Sequence, residues 1–538
     1  MLPSIDACLR EARIEVLSDV EREQYVAIDA TKPINPRNEA AALSLLFSPR
    51  RLAQTLGDGG GGRDDGSAER RREQLEAYAA SYVERTGGSP GATETVRTEP
   101  VDAATAALAA WALAQQQDAE AAAAAAADGG KTPASCAPAL FCVGDGRLGR
   151  RRRGLVATRD LRPGDVALSL RLAPPAACPS GGGGGLAITY ATARRSDLGA
   201  ALASLGLDDE SLALLWTMAD RRDPDSPHAP FWRALPQDDA CGFGTPLGVG
   251  VGDAALEQAL GGTPLLGRAR RAREHLEAAH ASLLPATVAL VRAYPQHLQA
   301  AWFSRASFLW ASELWYGYAM QLALPRPPEG TAGADGPAAA AWSPEPVPAL
   351  VPLASLANHS AWPHVVAYSD CTGSDGDGDG EHGGGRGGAG WQRLRVFRPV
   401  RAGEELLISY GAHANDELLL FYGFALDPDP HDAREVRRQL AVAAAEPSEG
   451  GRRAGAAAGA AAAADVAAAT AAGWRDGHAA ALARVEVALE SEGKWTRTEV
   501  AFFGQARVFL RGFLRELEAV VERGSVGCGG GASGVGGD

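Results

Sequence analysis

The sequence predicts an α+β fold, in which two strand-rich blocks are separated by a long helical stretch. In the first block, apolar runs at 154–158 and 166–170 flank the segment Arg162-Pro-Gly-Asp165, a pattern typical of strands joined by a tight turn. Residues 186–325 then carry mainly helical patterns. The second block spans 350–430, and its apolar runs predict strands near 350–353, 364–369, 391–397 and 405–409.

Two local signals refine the second block. Arg401-Ala-Gly-Glu404 predicts another turn that joins strands. The segment 415–424 begins with Asn415, a residue type that favours the N-cap of a helix, and continues with apolar residues. We therefore predict one short helix over 415–424.

The remaining segments are predicted from composition. Among the 538 residues are 65 glycines, many of them in runs with alanine, so part of the chain is expected to be linker. Near the C-terminus, an amphipathic stripe predicts a helix and consists of Phe502, Ala506, Phe509, Phe513 and Leu517. We predict a helical N-terminal extension with flexible linkers at 1–135, flexible loops at 326–345 and 372–390, a low-complexity linker at 445–473, a reduced helical C-terminal segment at 474–523 and a disordered tail at 524–538.

Charge argues against nucleic acid as a partner. The formal net charge is −14, whereas a protein that coats nucleic acid usually presents a basic domain or face. Arg147 and Arg150–Arg153 form one local basic run. Three interpretations of this run stay open: a solvated loop, a phosphate-binding segment and a nuclear address.

Nothing in the sequence predicts a metal site or a membrane span. The seven cysteines contain no CxxC pair, so we expect reduced thiols inside the cell and neither a zinc site nor a redox dithiol. The acidic run Asp375–Asp379 lacks the spacing of an EF-hand loop. No stretch predicts a transmembrane helix, and the acidic N-terminus differs from signal and transit peptides. We expect a soluble intracellular protein of the cytoplasm or nucleus, with the plastid stroma left open and the oligomeric state undetermined.

Three motifs, taken in order, carry a family resemblance. They are Arg153-Gly-Leu-Val-Ala-Thr-Arg-Asp-Leu-Arg-Pro-Gly-Asp165, Leu350-Val-Pro-Leu-Ala-Ser-Leu-Ala-Asn-His-Ser360, and Arg401-Ala-Gly-Glu-Glu-Leu-Leu-Ile-Ser-Tyr-Gly411 followed by Asn415-Asp-Glu-Leu-Leu-Leu-Phe-Tyr-Gly-Phe424. The chain resembles SET-domain protein methyltransferases, in the class similar to plant Rubisco large-subunit lysine methyltransferase. The match covers about 139–432 and implies a SET domain of small β-sheets with the helical insert at 186–325. It also implies a pseudoknot, in which the last segment is threaded through a loop beside the Asn-His motif, an exception to the usual avoidance of knots.

The resemblance implies a cofactor and a set of site residues. The cofactor is S-adenosylmethionine, and the catalytic hydroxyl is that of Tyr410. Cofactor contacts are implied for Arg153, Gly154, Leu155, Asn358, His359, Tyr422 and Phe424. Glycine suits this role because backbone can approach a ligand where no Cβ intrudes. Taken alone, Asn358-His359 is an ordinary capped turn and Tyr410 a core tyrosine with a bonded hydroxyl, and only the ordered pattern favours the functional interpretation.

The implied chemistry is an in-line methyl transfer to a nitrogen of a protein side chain. A lysine ammonium has no lone pair and an ordinary pKa of about 10.4, so it must lose a proton first. A narrow, partly desolvated channel favours the neutral amine. Tyr410 is then expected to orient the amine and not to act as a strong base. The expected partner is a non-histone protein that presents a lysine side chain.

The sequence departs from the family pattern at three positions. Arg152 replaces a glycine, Tyr318 replaces an arginine that helps to hold the cofactor, and Ser355 replaces an acid. Two alternatives stay open, and the departures favour the second of them. One is histidine methylation by the same fold, since a neutral imidazole is already nucleophilic. The other is an inactive SET-fold protein that serves as a binding scaffold.

Overall fold

A computed structural model gives the fold of this chain in two compact units. It describes residues 4–15, 97–124, 135–143, 150–172, 186–239, 242–322, 347–361, 363–370, 391–396, 398–427, 429, 431–445, 456–491 and 493–528, with isolated positions between 31 and 78. The first unit comprises Met1–Trp216, Asp223–Leu235 and Tyr318–Gly411. The second comprises Thr217–Arg222, Pro236–Gly317 and Ala412–Asp538. The predicted loops at 326–345 and 372–390 lie outside the described residues.

The described strands belong to the first unit and form three small sheets. Their bounds are β1 Arg97–Glu99, β2 Cys136–Val143, β3 Arg150–Ala157, β4 Val166–Arg171, β5 Ile188–Thr189, β6 Ala319–Leu322, β7 Val347–Leu350, β8 Asn358–His359, β9 Val365–Asp370, β10 Trp391–Val396 and β11 Glu405–Ile408. The sheet orders are β1-β2-β3-β11-β8, β4-β10-β9 and β5-β7-β6. All described pairs are antiparallel except β11 with β8, which is parallel.

Helices occur in both units. Their bounds are α1 Ile5–Glu15, α2 Ala103–Ala124, α3 Tyr190–Arg195, α4 Asp197–Ala203, α5 Asp209–Asp220, α6 Ala229–Ala234, α7 Asp253–Leu260, α8 Pro264–Ala293, α9 Arg305–Tyr318, α10 Asn415–Glu417, α11 Asp432–Ala445, α12 Ala456–Glu490 and α13 Arg497–Cys528. Small sheets beside many helices make the chain α+β, as the sequence predicts. No described helix is long and apolar enough to cross a membrane.

Both predicted turns form, but each connects strands of different sheets. Gly164 and Gly403 adopt φ values of +94° and +88°, which glycine tolerates at the third position of such turns. The first turn leads from β3 to β4 and the second from β10 to β11. An isolated bridge between Leu161 and Val400 joins the two connections. The Pro-Gly signal thus predicts the turn correctly, whereas the partners of the flanking strands depend on distant parts of the chain.

The second unit is built around the C-terminal helices, which are longer than the sequence predicts. Helix α12 includes 456–473, most of the segment expected to be linker, and α13 extends to Cys528, inside the predicted tail. Alanine has the highest intrinsic helix propensity, so an alanine-rich segment forms a helix once one face has a packing partner. The two helices pack on each other, and α12 also packs on α7 and α11. At one contact there is no room for a Cβ on Gly477 because the backbone of Gly262 lies against it.

The predicted stripe on α13 forms the core of this unit. Its members are each at most 3% exposed: Phe502, Ala506, Phe509, Phe513 and Leu517. His478 of α12 stacks on Phe513 with ring centroids 6.0 Å apart. The 3.6-residue periodicity therefore identified the buried face correctly.

Glu313 of α9 is a buried carboxylate that should make stability depend on pH. Its Oε1 accepts hydrogen bonds from Thr245 Oγ1 at 2.7 Å and Thr245 N at 3.2 Å. Burial raises the pKa of Glu313 from 4.5 to about 7, although the hydrogen bonds from Thr245 oppose this shift. The folded protein thus keeps this proton to a higher pH than the unfolded chain does.

The free energy of unfolding should therefore fall as pH rises from about 4.5 to about 7, by up to about 3 kcal/mol from this group. Thermal unfolding of wild type and Glu313→Gln across this range measures the contribution. We expect the wild-type midpoint to fall with pH more steeply than that of the variant. Glu486→Gln, at a half-exposed ion pair with Arg511, serves as the control. Parallel curves for wild type and Glu313→Gln would contradict the prediction.

Candidate functional site

The Asn-His motif and the strand-end tyrosine meet through the parallel pair of β8 and β11. In this pair Asn358 lies opposite Leu407 and His359 lies opposite Ile408. Two residues after Ile408, the backbone N–H of Tyr410 donates to Nδ1 of His359 at 3.0 Å. The two rings lie with centroids 5.1 Å apart. Strand register thus brings together residues that are about fifty positions apart in the sequence.

These contacts fix the hydrogen positions of His359 and Tyr410. Because Nδ1 of His359 accepts a hydrogen bond, the neutral ring carries its hydrogen on Nε2. The Tyr410 hydroxyl donates to the backbone oxygen of Ala357 at 2.9 Å. A hydroxyl has one hydrogen and two lone pairs, so Tyr410 Oη can act as an acceptor as well as a donor. The site therefore offers an oriented acceptor at Tyr410.

Asn358 is held by both hydrogens of its amide nitrogen. Nδ2 donates to the backbone oxygen of Arg153 and to Oε1 of Glu405, each at 2.7 Å. This arrangement decides which way the amide points, because the opposite orientation would set its oxygen against two acceptors. Oδ1 is therefore the amide atom that Asn358 can offer to a ligand as an acceptor. Glu405 lies within the third motif, and the family resemblance implies no role for it.

Gly154 lies against the same pair of side chains. A Cβ built on Gly154 would come within 2.6 Å of Glu405 Oε1, 2.8 Å of Asn358 Nδ2 and 2.9 Å of Phe141 Cε2. The family resemblance implies close approach of a cofactor at this glycine. The structure adds a reason internal to the chain, namely that the bonded Asn358 and Glu405 fill the space that a side chain would need.

The change Gly154→Ala should therefore destabilise the protein by about 1 to 3 kcal/mol, since overpacking forces neighbouring atoms to shift. Chemical denaturation of both proteins measures the difference. Gly473→Ala in α12 is the matched control, because nothing lies within 4 Å of a Cβ at that position. There alanine should leave stability unchanged or raise it. Equal stability of Gly154→Ala and wild type would refute the steric argument.

The first motif contains two further predicted site residues, Leu155 and Arg153, and both turn their side chains into the unit. Leu155 is fully buried in β3, between β2 and β11. The guanidinium of Arg153 donates to the backbone oxygen of Ala234. Leu155 lies opposite Leu406 of β11, whereas Arg153 lies opposite Leu140 of β2 and is partly buried. The basic run, at Arg152 and Arg153, lies within β3 and not in a solvated loop.

The three departures from the family pattern have internal partners. Tyr318 lies beside Arg153, with which its hydroxyl forms a hydrogen bond, and burial raises the pKa of this tyrosine. Ser355 Oγ donates to the backbone oxygen of Val351 at 2.7 Å, a bond within its own turn. Arg152 Nη2 lies 2.6 Å from Glu405 Oε2. Two of the three contact a residue that holds Asn358, since Arg152 pairs with Glu405 and Tyr318 bonds Arg153.

Tyr422 and Phe424 belong to the second unit. They flank Gly423, which has a φ of +75° and ends the π-helical turn Leu418–Tyr422. Their ring centroids lie 6.2 Å apart in an edge-to-face arrangement. Both side chains are partly exposed. The predicted helix over 415–424 is therefore an α-helical turn followed by a π-helical turn and ends at Tyr422.

The sequence predicts Asn415 as the N-cap of this helix, and this prediction is wrong. Ala414 occupies the N-cap position, and the side chain of Asn415 is buried instead. Its Oδ1 accepts from Leu426 N at 2.6 Å, while Nδ2 donates to Leu426 O and Asp432 Oδ2, each at 2.8 Å. The amide thus fastens both ends of the segment that carries Tyr422 and Phe424.

Within the described part of the chain, no group of three or more His, Cys, Asp or Glu side chains could hold a metal ion.

Comparisons with known proteins found likenesses only among solved structures. No family model and no curated protein matched the chain. The SET domain of LSMT bound to lysine and AdoHcy is 17% identical, with a TM-score of 0.46, over 79% of this chain and 92% of that one. The same domain bound to methyllysine and AdoHcy gives 17% identity and a TM-score of 0.45 over the same shares. Rubisco LSMT bound to sinefungin and monomethyllysine gives 16% and 0.43, again over 79% and 92%.

Proposed function

We propose that this chain is a SET-type, S-adenosylmethionine-dependent protein-lysine N-methyltransferase that acts on a non-histone protein. The observation that carries the proposal is the meeting of Asn358, His359 and Tyr410 at the β8–β11 pair. These residues come from two separate motifs of the family pattern. Each alone has an ordinary structural explanation, whereas their juxtaposition is what a shared site requires.

The acceptors at this site suit a cationic cofactor. S-adenosylmethionine, when bound, supplies a methyl group activated by a positively charged sulfonium. Asn358 Oδ1 is oriented as an acceptor, and we assign it to the cofactor together with His359. Arg153, Gly154 and Leu155 of β3 are proposed to complete the contacts within this unit.

Tyr410 is the proposed catalytic residue. Its hydroxyl donates to Ala357 O, so its oxygen can accept a hydrogen bond from the amine of a substrate lysine. That bond would direct the nitrogen lone pair towards the methyl group. Orientation of this kind can lower the activation free energy by several kcal/mol. The lysine must arrive neutral, and a nearby sulfonium disfavours a second cation in the same space. Tyr410 would therefore position the nucleophile and would not need to remove its proton.

Transfer of a labelled methyl group to protein acceptors tests the proposal. The purified chain would be incubated with S-adenosylmethionine carrying a tritiated methyl group and heat-treated extract proteins, followed by acid hydrolysis and amino-acid analysis. We expect label in methyllysine. Label in methylhistidine would replace the lysine assignment by the histidine alternative.

A second candidate is a SET-type binding protein without turnover. Tyr318 and Ser355 favour this candidate. Both form hydrogen bonds within the chain, at positions where the family pattern has an arginine and an acid. This candidate predicts that the folded protein incorporates no label into any acceptor. Incorporation above the level of a heat-denatured control would exclude it.

A further inference from the structure

We propose that Glu405 and Arg152 are positioning residues, which hold the amide of Asn358 in the orientation needed for the cofactor. This inference rests on the proposed function. It concerns two side chains that the family resemblance leaves without a role, and one of them is a departure from the family pattern. Arg152, Glu405 and Asn358 form a series of contacts that leads from the surface to the Asn-His motif.

Glu405 is the central residue of this series of contacts. Its side chain is 9% exposed, and each of its oxygens has a different partner: Oε1 accepts from Asn358 and Oε2 pairs with Arg152. A buried carboxylate is costly unless it is bonded and paired, so these two contacts stabilise each other's geometry. Glu405 sits in β11 opposite Val156 of β3, which fixes its backbone beside the first motif.

Glu405 also determines the orientation of the Asn358 amide. With only the Arg153 oxygen as an acceptor, one hydrogen of Nδ2 would lack its partner and the side chain could rotate. With Oε1 of Glu405 in place, both hydrogens are used, and Oδ1 is left as the outward acceptor. Gly154 leaves the space in which this pair meets.

Arg152 neutralises Glu405 from the solvent side. Its side chain is 48% exposed and its Nη2 lies 2.6 Å from Glu405 Oε2. A glycine at this position could not supply that charge. The departure at Arg152 is therefore compatible with a working site, and it strengthens the fixation of Asn358.

A double-mutant cycle tests the inference in the full chain. The dissociation constant for S-adenosylmethionine would be measured by calorimetry for wild type, Asn358→Ala, Glu405→Ala and the double variant. We expect Glu405→Ala to raise the constant about tenfold, the range of a hydrogen bond to a charged group. The double variant should bind no more weakly than Asn358→Ala alone, because Glu405 acts through Asn358.

Conservative and control variants separate positioning from a general loss of structure. Glu405→Gln keeps an acceptor for Asn358 and should restore affinity to within about threefold of wild type. Arg152→Ala should raise the constant only about twofold to fivefold, as is typical of a half-exposed ion pair. Two control variants should leave the dissociation constant unchanged. They are Glu404→Ala, at the exposed neighbouring turn residue, and Arg159→Ala, at an exposed ion pair with Asp165.

The same cycle on thermal unfolding, without ligand, reports the Asn358–Glu405 contact independently of the cofactor. We expect the two single changes to lower the midpoint by amounts that do not add. Fully additive losses of affinity from Asn358→Ala and Glu405→Ala would overturn the positioning role alone. A wild-type protein that does not bind S-adenosylmethionine would overturn the proposed function, and the positioning role with it, whatever the ligand-free cycle gives.

Discussion

Replacing Tyr410 by phenylalanine should leave the protein folded and lower the rate of methyl transfer about a hundredfold or more. The change removes the one oxygen proposed to accept a hydrogen bond from the substrate amine. Loss of a single oriented hydrogen-bonding group at the reacting atoms commonly costs this much. The structural cost includes the bond with Ala357 O, about 1 kcal/mol. Single-turnover rates with labelled cofactor, together with thermal unfolding, measure both effects.

The control for this experiment is Tyr294→Phe, which removes a hydroxyl from a tyrosine that is 40% exposed on another element. It should leave the rate within about twofold of wild type, as expected for a surface substitution. Transfer by Tyr410→Phe at the wild-type rate would end the assignment of this hydroxyl to catalysis.

Replacing Asn415 by alanine should lower the free energy of unfolding by about 3 kcal/mol or more. Asn415 is fully buried and makes three side-chain hydrogen bonds, two with the backbone of Leu426 and one with Asp432. Alanine would leave these buried polar groups without partners, which costs more than the net value of each bond. Asp432 is itself 2% exposed, so water cannot readily replace the lost amide.

Urea denaturation followed by circular dichroism gives the size of this effect. Arg515→Ala, which breaks a half-exposed ion pair with Asp427 in the same unit, is the control and should change stability by at most about 0.5 kcal/mol. A loss in Asn415→Ala as small as that in the control would show that the amide does not fasten the segment between residues 415 and 426.

Local patterns in the sequence predicted much of the fold. The stripe on α13 is buried as its periodicity indicates, and the turns at Gly164 and Gly403 form where the Pro-Gly and Ala-Gly signals place them. Each of these features depends on residues that are close in sequence. A turn needs a glycine with a positive φ, and a helix face needs apolar residues every three or four positions.

Features that depend on distant partners were missed. The pairing of β8 with β11, and of β3 with β11, has no signature in either strand alone, because strand partners are chosen by the whole fold. The length of α12 was underestimated for a similar reason, since an alanine-rich segment is a helix or a linker according to what packs against it.

In the candidate site, too, the features that depend on nearby residues could be predicted and those that depend on distant partners could not. Asn358, His359 and Tyr410 could be proposed from the order of the motifs. Glu405 could not, because an acidic residue next to a turn is ordinarily solvated, and only the register of β11 buries it beside Asn358. The sequence predicts an N-cap at Asn415 because asparagine favours that position, whereas its side chain bonds a carboxylate seventeen residues away.

The decisive experiment on the proposed function is a calorimetric titration of the folded wild-type chain with S-adenosylmethionine. The proposed function predicts saturable binding with a dissociation constant in the micromolar range, weakened about tenfold or more by Asn358→Ala. The absence of measurable binding to a protein whose thermal unfolding is cooperative would contradict it.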